Sequence, residues 1–296
     1  MPASRMSKWL SAAIVSLIGF ISTSSPAGEL IPELEAEATS FDDIFQDIGP
    51  FTESKYAIGF ALVRPVDFED SERSLIPRVL VGYRYGKFRL SSSGGGSIIG
   101  FGTERVEGGV SASILDKGRL RGRLGLRLGR GRDIDEARVR EVVGDVGVSA
   151  LGRGSLRYQI DSLWSAEAVV VTDLLRRGNG TRMTLGLSRT EWISADTRVG
   201  FGGSVSFGDR THMRGSFSSI NADNTLYLPG AGPKEASVGF GMTRKLTQRW
   251  IVFGSTGVSW RLGPARDSPD TKRRWGVTAT IGIAYRCCGN FGPKPR

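Results

Sequence analysis

Arginine recurs at nearly every second position of one short stretch, and this spacing has a clear chemical meaning. The alternating sets are Arg119, Arg121, Arg123 and Arg127 on one side and Leu120, Leu124, Leu126 and Leu128 on the other. Successive side chains of a β-strand point to opposite faces, so the stretch predicts a strand with one basic and one apolar face. Guanidinium groups bind carboxylates and phosphates through paired N–H donors. The basic face is predicted either to pair with acids inside the protein or to favour anions.

Groups for catalysis and metal binding are sparse. The chain has one histidine, so any Ser-His-Asp triad would have to use His212. The glycine run at 94–96 is not followed by the Lys-Ser/Thr of a phosphate loop, and no GxSxG motif occurs. The two cysteines, Cys287 and Cys288, are neighbours, which excludes a disulfide framework. The sequence therefore predicts a protein that is not an enzyme and that has no cofactor and no metal site; a hydrolase using His212 is the disfavoured alternative.

The composition indicates a β-rich protein. The 296 residues include 41 glycines, and interior glycine destabilises a helix by about 1 kcal/mol. No run of 18 apolar residues occurs, which excludes membrane-spanning helices but not membrane barrels, whose strands give a weaker signal. The net charge of +10 could suit nucleic acid, but the export signal argues against that partner.

The first 27 residues have the order of a secretory signal peptide. Arg5 and Lys8 precede a mostly apolar run at 9–21, and small residues follow at 25–27. We expect cleavage after Ala27 and export of the remainder.

An acidic segment, 28–54, follows the predicted signal. It contains no lysine or arginine and carries a charge of −8, whereas residues 55–296 carry +16. Its central acids are Glu33, Glu35, Glu37, Asp42, Asp43 and Asp47. Three interpretations stay open: a solvated tail, a plug formed by part of it such as 41–48, or a dock for a soluble periplasmic partner.

The remainder alternates apolar with small or polar residues, which is typical of strands with one apolar side. The predicted strands are 55–64, 75–85, 88–93, 106–115, 119–130, 143–151, 155–171, 180–190, 196–208, 236–246, 249–262 and 274–287.

Short and long connectors alternate between these strands. The short ones are 86–87, 116–118, 152–154, 191–195 and 247–248. This alternation is typical of an outer-membrane barrel with short periplasmic turns and long outer loops. We therefore predict an all-β fold: a closed antiparallel transmembrane β-barrel of about 12 strands over 55–287, with a tail at 288–296 and both termini in the periplasm of a Gram-negative cell.

Aromatic residues near strand ends favour this barrel over a soluble β-sandwich. They are Tyr83, Tyr85, Trp250, Trp260, Trp275 and Tyr285. Such positions suit the aromatic girdles at the two interfaces with outer-membrane lipids, and a barrel in lipid must close because unpaired backbone groups are costly there.

The face opposite the apolar one is predicted to be basic. Its arginines are Arg78, Arg84, Arg119, Arg121, Arg123, Arg127, Arg157 and Arg182. The acids predicted to face inward with them are Asp145, Asp161 and Glu167. An arginine facing lipid at mid-membrane would cost about 2–4 kcal/mol, so these side chains are placed in the lumen. They either form internal ion pairs or make a positive lumen for small anions or an anionic plug.

Motifs over 55–287 resemble the MltA-interacting protein (MipA/OmpV) family of Gram-negative outer membranes. The run 64–69, Arg-Pro-Val-Asp-Phe-Glu, is similar to the family's first strand end, and 83–88 followed by LSSSGGG resembles its second hairpin. The run 131–135 stands where the family has an acidic loop, and 246–250, 253–254 and 267–269 look like its late hairpin and last long loop. The run 283–286, Ile-Ala-Tyr-Arg, resembles its closing strand. Family members usually end at an aromatic residue after this Tyr-Arg pair, whereas here Cys287, Cys288 and 289–296 follow.

The resemblance implies a non-enzymatic outer-membrane protein. It also implies a scaffold in peptidoglycan (murein) remodelling, joining a lytic transglycosylase to a murein synthase. The alternative from the residues themselves is a porin-like or gated channel for small anions through the arginine-lined lumen.

Overall fold

A computed structural model describes residues 55–64, 68, 75–91, 109–129, 137–144 and 146–287. The predicted signal peptide, the acidic segment 28–54, Asp145 and the tail 288–296 lie outside these residues. The side chain of Arg84 also lies outside the description, although its backbone position is given.

The described residues are mostly β-strand, in agreement with the predicted all-β class. The strands are β1 (Lys55–Arg64), β2 (Ile76–Tyr85), β3 (Phe88–Ser91), β4 (Gly109–Lys117), β5 (Leu120–Gly129), β6 (Ser149–Gln159), β7 (Trp164–Asp173), β8 (Thr181–Ser194), β9 (Thr197–Gly208), β10 (Ser219–Ile220), β11 (Leu226–Tyr227), β12 (Gly232–Lys245), β13 (Trp250–Arg261) and β14 (Trp275–Cys287). The helices are α1 (Ala137–Val143), α2 (Arg210–Phe217) and α3 (Gly263–Arg266). None of the described helices is long and apolar enough to cross a membrane.

All of these strands except β10 and β11 form one antiparallel sheet. The order around the sheet is β1-β14-β13-β12-β9-β8-β7-β6-β5-β4-β3-β2. The first strand pairs with β2 through Ala61 and Arg78 and with β14 through Ala61 and Gly282. Because β1 has a partner on each side, the described strands close into a barrel.

The connectors of the barrel sort by length onto its two ends. Those between β2 and β3, β4 and β5, β6 and β7, β8 and β9, and β12 and β13 have two to four residues, and we call their end the short-turn end. The others have seven or more residues and define the long-connector end, where α1, α2, α3 and the hairpin β10–β11 lie. Because β1 starts and β14 finishes at the short-turn end, both described ends of the chain lie there.

Exposure alternates along the strands and distinguishes two faces. On β5, Leu124, Leu126 and Leu128 are 55%, 58% and 72% exposed, whereas Arg127 between them is 8% exposed. The same alternation places Ile58 and Phe60 on the outer surface and buries Ala57 and Ala61. The barrel therefore has an apolar outward face, and we call the opposite face the inward face.

Two predicted strands are wrong. The structure places β6 at Ser149–Gln159 and β7 at Trp164–Asp173, so the predicted strand 143–151 and turn 152–154 do not exist as such. Gly152 and Gly154 lie within β6 on the outward face, where the side chains of Leu174 and Leu124 lie next to them. The actual turn, 160–163, is closed by backbone N–H groups of Ile160 and Asp161 that donate to the Trp164 carbonyl. The other predicted strands differ from the described bounds by at most four residues at either end.

Candidate functional site: the inward face of the barrel

A row of arginines covers the inward face of two neighbouring strands. On β5 and β6 the row consists of Arg121, Arg123, Arg127, Arg153 and Arg157, and we call it the basic wall. The register places Arg121 opposite Arg157, Arg123 opposite Ser155, and Arg127 opposite Leu151, so the row spans the height of the barrel. Arg127 is buried and Arg121, Arg123 and Arg157 are partly buried, whereas Leu124, Leu126 and Leu128 are exposed. Sequence reasoning missed Arg153 because it assigned that residue to a turn.

Two carboxylates lie against the basic wall near the short-turn end. The Arg157 Nη2 donates to Glu167 Oε2 at 2.9 Å across the β6–β7 pair. The Arg121 Nε lies 3.6 Å from Asp116 Oδ1, and this carboxylate is largely exposed near the end of β4. The interpretation of internal ion pairs therefore has a counterpart in these two contacts.

Arg119 and Asp161 do not lie in the lumen as predicted. Arg119 occupies the β4–β5 turn, is exposed, and donates from Nη1 to the Ile160 carbonyl at 3.2 Å. Asp161 lies in the β6–β7 turn, where its Oδ1 accepts from the backbone N–H groups of Trp164 and Leu163. These two hydrogen bonds hold the pKa of Asp161 below its ordinary value, and the one from Trp164 has the larger effect. Arg119 directly precedes β5, which begins one residue later than predicted, and Asp161 lies in the turn 160–163 that interrupts the predicted strand 155–171.

The other predicted lumen arginines lie on β2 and β8, outside the basic wall. Arg78 lies beside buried Ala61 and Leu80 on the inward face of β2. Arg84 pairs in register with Lys55 and Arg89. Arg182, on β8, lies between buried Val171 and Gly208. The structure thus distributes these three around the barrel instead of adding them to the basic wall.

An apolar cluster lines the wall across the barrel from the basic wall. In the ring order, β5 lies opposite β13 and β6 lies opposite β14. The cluster consists of Ala61, Leu80, Ile251, Phe253 and Ala284. The Phe253 ring lies across Gly282 of the neighbouring strand, in the space that a side chain at 282 would need. Position 282 therefore requires glycine, because the Phe253 ring occupies the space of a side chain there.

Three further residues meet on the inward face at the short-turn end: Trp192 of β8, Arg198 of β9 and Lys245 of β12. Arg198 Cζ lies 5.2 Å and Lys245 Nζ lies 4.8 Å from the centroid of the Trp192 ring. Both distances are within the range of cation–π attraction. We call these residues the mouth cluster; sequence reasoning missed it because its members come from three strands.

The long-connector end is covered on its inward side by α2 and by Phe68. Met213 of α2 lies against inward Gly208, and Phe217 packs with Met213 and Ala265 of α3. The rings of Phe68 and Phe217 lie 4.2 and 4.7 Å from Arg261 Cζ. These connectors fold over the barrel mouth.

His212 is hydrogen-bonded to neighbouring connectors at the long-connector end. Its Nδ1 lies 3.0 Å from the Asn179 carbonyl oxygen, and its backbone N–H donates to Asp209 Oδ1, which caps α2. The second Asp209 oxygen accepts from the Thr181 N–H. Both oxygens of Asp209 thus accept hydrogen bonds from backbone groups. Within the described ranges, no cluster of three or more His, Cys, Asp or Glu side chains could hold a metal ion.

The fold and its two faces define a class of protein: an antiparallel β-barrel that is apolar outside and carries arginines within. The family model for MltA-interacting protein MipA matches residues 58–287, and the chain belongs to this family. The resemblance seen in the sequence motifs is thereby confirmed. No curated protein matches the sequence.

Several solved structures are similar to this chain at low sequence identity. The KdgM porin is 10% identical with a TM-score of 0.40, over 77% of this chain and 98% of that chain. The outer membrane protein OmpT of Vibrio cholerae is 9% identical with a TM-score of 0.39, over 79% and 97%. The outer membrane channel DcaP of Acinetobacter baumannii is 10% identical with a TM-score of 0.38, over 79% and 96%.

Proposed function

We propose that this chain is a non-enzymatic barrel of the Gram-negative outer membrane whose basic interior binds small anions and passes them. The observation that carries the proposal is the segregation on β5, where exposed leucines alternate with inward arginines. Inward guanidinium groups attract anions, and the low dielectric of the surrounding wall strengthens that attraction.

The outward face supports a place in lipid. Its exposed apolar residues recur on strand after strand, as with Val79 and Val81, Leu185 and Leu187, and Ile281 and Ile283. A contiguous apolar surface of this extent is unusual on a soluble monomer. Trp260 and Trp275 are paired at the long-connector end, and Trp250 packs on Tyr285 at the short-turn end, which suits two aromatic girdles.

The connector lengths support an orientation. Short turns face the periplasm in bacterial outer-membrane barrels, so the short-turn end, with both chain ends, is assigned to the periplasm. The predicted signal peptide at 1–27 would provide the export that this location requires. The acidic segment 28–54 would then enter the barrel at its periplasmic end, where it could act as a plug or as a dock.

Ion selectivity in planar bilayers tests the anion proposal. We expect anion-selective conductance from the mature chain, and a fall in the anion-to-cation permeability ratio in the double variant Arg121→Gln and Arg123→Gln. The matched control is Arg249→Gln, which removes an exposed charge in the β12–β13 turn. Cation selectivity, or the same ratio in the double variant and the wild type, would overturn the proposal. Deleting 30–52 in the same assay tests the plug, since a plug predicts higher conductance and unchanged conductance contradicts it.

Family membership favours a second candidate function, a scaffold for cell-wall enzymes. The family takes its name from an interaction with MltA, and a periplasmic short-turn end with an acidic segment attached would offer a binding surface. We expect the mature chain to co-purify a lytic transglycosylase and a murein synthase, and the chain lacking 30–52 to retain less of both. Absence of both enzymes from the purified material would contradict the scaffold.

A further inference from the structure

We infer that Arg153 is the position in the basic wall that holds an anion, and that its ligands are small solutes with a carboxylate or phosphate group. The inference rests on the proposed function and names the binding residue and the ligand chemistry within it. Two observations carry it. Arg153 lies near mid-height of the barrel on the inward face, and no carboxylate of the described residues pairs with it.

Arg153 lies beyond the described acids of the basic wall. It is the fifth of the 11 residues of β6, whereas Arg157 lies four residues further toward the short-turn end. A strand rises about 3.3 Å per residue, so the two positions are about 13 Å apart along β6. The carboxylates that pair with the wall contact Arg157 and Arg121, which lie opposite each other in register. Both ion pairs therefore lie at the level of Arg157, closer to the short-turn end.

The neighbouring strands place uncharged residues directly beside Arg153. In register it lies opposite Gly125 of β5 and Val171 of β7. Val171 belongs to a buried apolar cluster with Leu151 and Val169. The Nε of Arg153 is buried and has no hydrogen-bond partner among the described residues, but the residue as a whole is partly exposed. The guanidinium thus reaches open space with apolar groups beside it, where its attraction for an anion is stronger than in bulk water.

Two further arginines flank this position. Arg123 and Arg127 lie two residues to either side of Gly125 on β5, at a diagonal distance of about 7–8 Å from Arg153. Both make other interactions, so the inference assigns binding to Arg153 alone. A partly buried cation without a carboxylate partner is costly, and a bound anion compensates that cost.

The shape of the guanidinium group determines the class of ligand. Its N–H donors form a planar fork that matches two oxygens of one carboxylate or phosphate group. A chloride ion offers a single centre and gains nothing from the fork. A lysine ammonium is a point charge, so it attracts anions without this geometric match. We therefore expect Arg153 to prefer oxyanions to halides.

A thiol next to Arg153 tests the site without any current through the barrel. Ser155 lies two residues along β6 on the same face and is partly exposed. The variant Ser155→Cys, in the mature chain with Cys287→Ser and Cys288→Ser, is treated in detergent with a sulfonate-bearing or a trimethylammonium-bearing methanethiosulfonate. Each rate is divided by the rate of the same reagent with mercaptoethanol, and the ionic strength is kept constant.

We expect the anionic reagent to react about three- to tenfold faster than the cationic one, because a local positive charge concentrates anions. Sodium phosphate should slow the anionic reagent more than sodium chloride does. Arg153→Gln should lose this phosphate protection, and Arg153→Lys should keep the preference for the anionic reagent but lose most of the protection. The matched control, Arg78→Gln, removes an inward arginine of β2 outside the basic wall and should keep both effects. The heat-modifiable migration of a folded barrel is checked for each variant.

Equal phosphate protection with Arg153 and with glutamine at 153 would overturn the inference, and so would full protection in Arg153→Lys. A thiol at 155 that reacts with neither reagent would also overturn it, because solutes could then not reach Arg153. These outcomes are distinct from failure of the proposed function. A barrel that passes no ions in bilayers can still show phosphate protection at 155, and an anion-selective barrel can lack it.

Discussion

Glu235 and Arg261 form an ion pair on the inward face at the long-connector end, with Oε2 3.6 Å from Nη1. Their strands pair directly, and Glu235 is 2% exposed. The rings of Phe68 and Phe217 lie against the guanidinium, so the pair connects the barrel wall to the β1–β2 connector and to α2. The connectors that fold over the mouth are thereby attached to a buried charge on the wall.

The variant Glu235→Gln should destabilise the barrel. Removing one member of a buried pair leaves the other charge without its carboxylate, which costs on the order of 3 kcal/mol. The measurement is the free energy of unfolding by urea in detergent micelles. The control is Glu191→Gln, which breaks the exposed pair with Arg189 and should change stability by less than about 1 kcal/mol. Equal effects of the two variants would contradict a structural role for the buried pair.

The variant Gly282→Ala should be destabilising, because a methyl group at 282 would collide with the Phe253 ring and would lie 2.7 Å from the backbone oxygen of Phe60. Overpacking of this kind costs about 1–3 kcal/mol. Gly154→Ala is the matched control, since its nearest neighbour would be Leu124 Cδ2 at 3.7 Å. We expect a lower urea midpoint for the first variant and an unchanged or slightly higher one for the second. A reversed order would show that Phe253 does not lie across Gly282.

The β6–β7 turn should depend on pH through Asp161. Its pKa is lowered because, in the folded state, the backbone N–H groups of Trp164 and Leu163 donate hydrogen bonds to the carboxylate. A group with a lowered folded pKa stabilises the fold above its unfolded pKa, and this contribution is lost as the pH falls through the folded pKa. Asp161→Asn should therefore lower the urea midpoint at pH 7, and the difference from the wild type should shrink below the ordinary value of 3.8. If the two urea midpoints still differ by as much at acid pH, the effect of Asp161→Asn does not come from the carboxylate charge.

The position of the β6–β7 turn can be tested by insertion. A six-residue tag between Asp161 and Ser162 should leave the heat-modifiable migration of a folded barrel, because both residues lie in an exposed turn. The same tag between Arg153 and Gly154 should abolish it, because these residues pair with both β5 and β7. If the barrel folds with the tag at 153 but not with the tag at 161, the turn would lie at 152–154, as the sequence predicted.

Most strands could be predicted because each carries its own alternation of apolar and small residues. The prediction failed around 143–171, where Gly152 and Gly154 have the composition of a turn. These glycines lie in the middle of β6, with large side chains of other strands and connectors beside them on the outward face. Short helices such as α1 were also missed, because Ala137–Val143 folds within a connector and has no strand-like alternation.

The basic wall could be predicted in part, because Arg121, Arg123 and Arg127 share one strand. Arg153 was missed because the sequence placed it in a turn, whereas it lies within β6. Arg198 is the single basic residue of β9, and Lys245 ends β12, so no repeated spacing of basic residues joins them; the pairing of β8 with β9 and of β9 with β12 brings them to Trp192. Arg119 was misplaced because the alternation of arginine and leucine begins one residue before β5.

The central claim is that the outward leucines of β5 face hydrocarbon and the inward arginines face water. Spin labels placed singly at 123, 124 and 126 in a Cys287→Ser, Cys288→Ser background, in liposomes, measure this through accessibility to oxygen and to a water-soluble nickel complex. We predict high oxygen accessibility at 124 and 126 and high nickel accessibility at 123. Equal accessibility at the three positions, or a chain that stays monomeric in buffer without detergent, would contradict the claim.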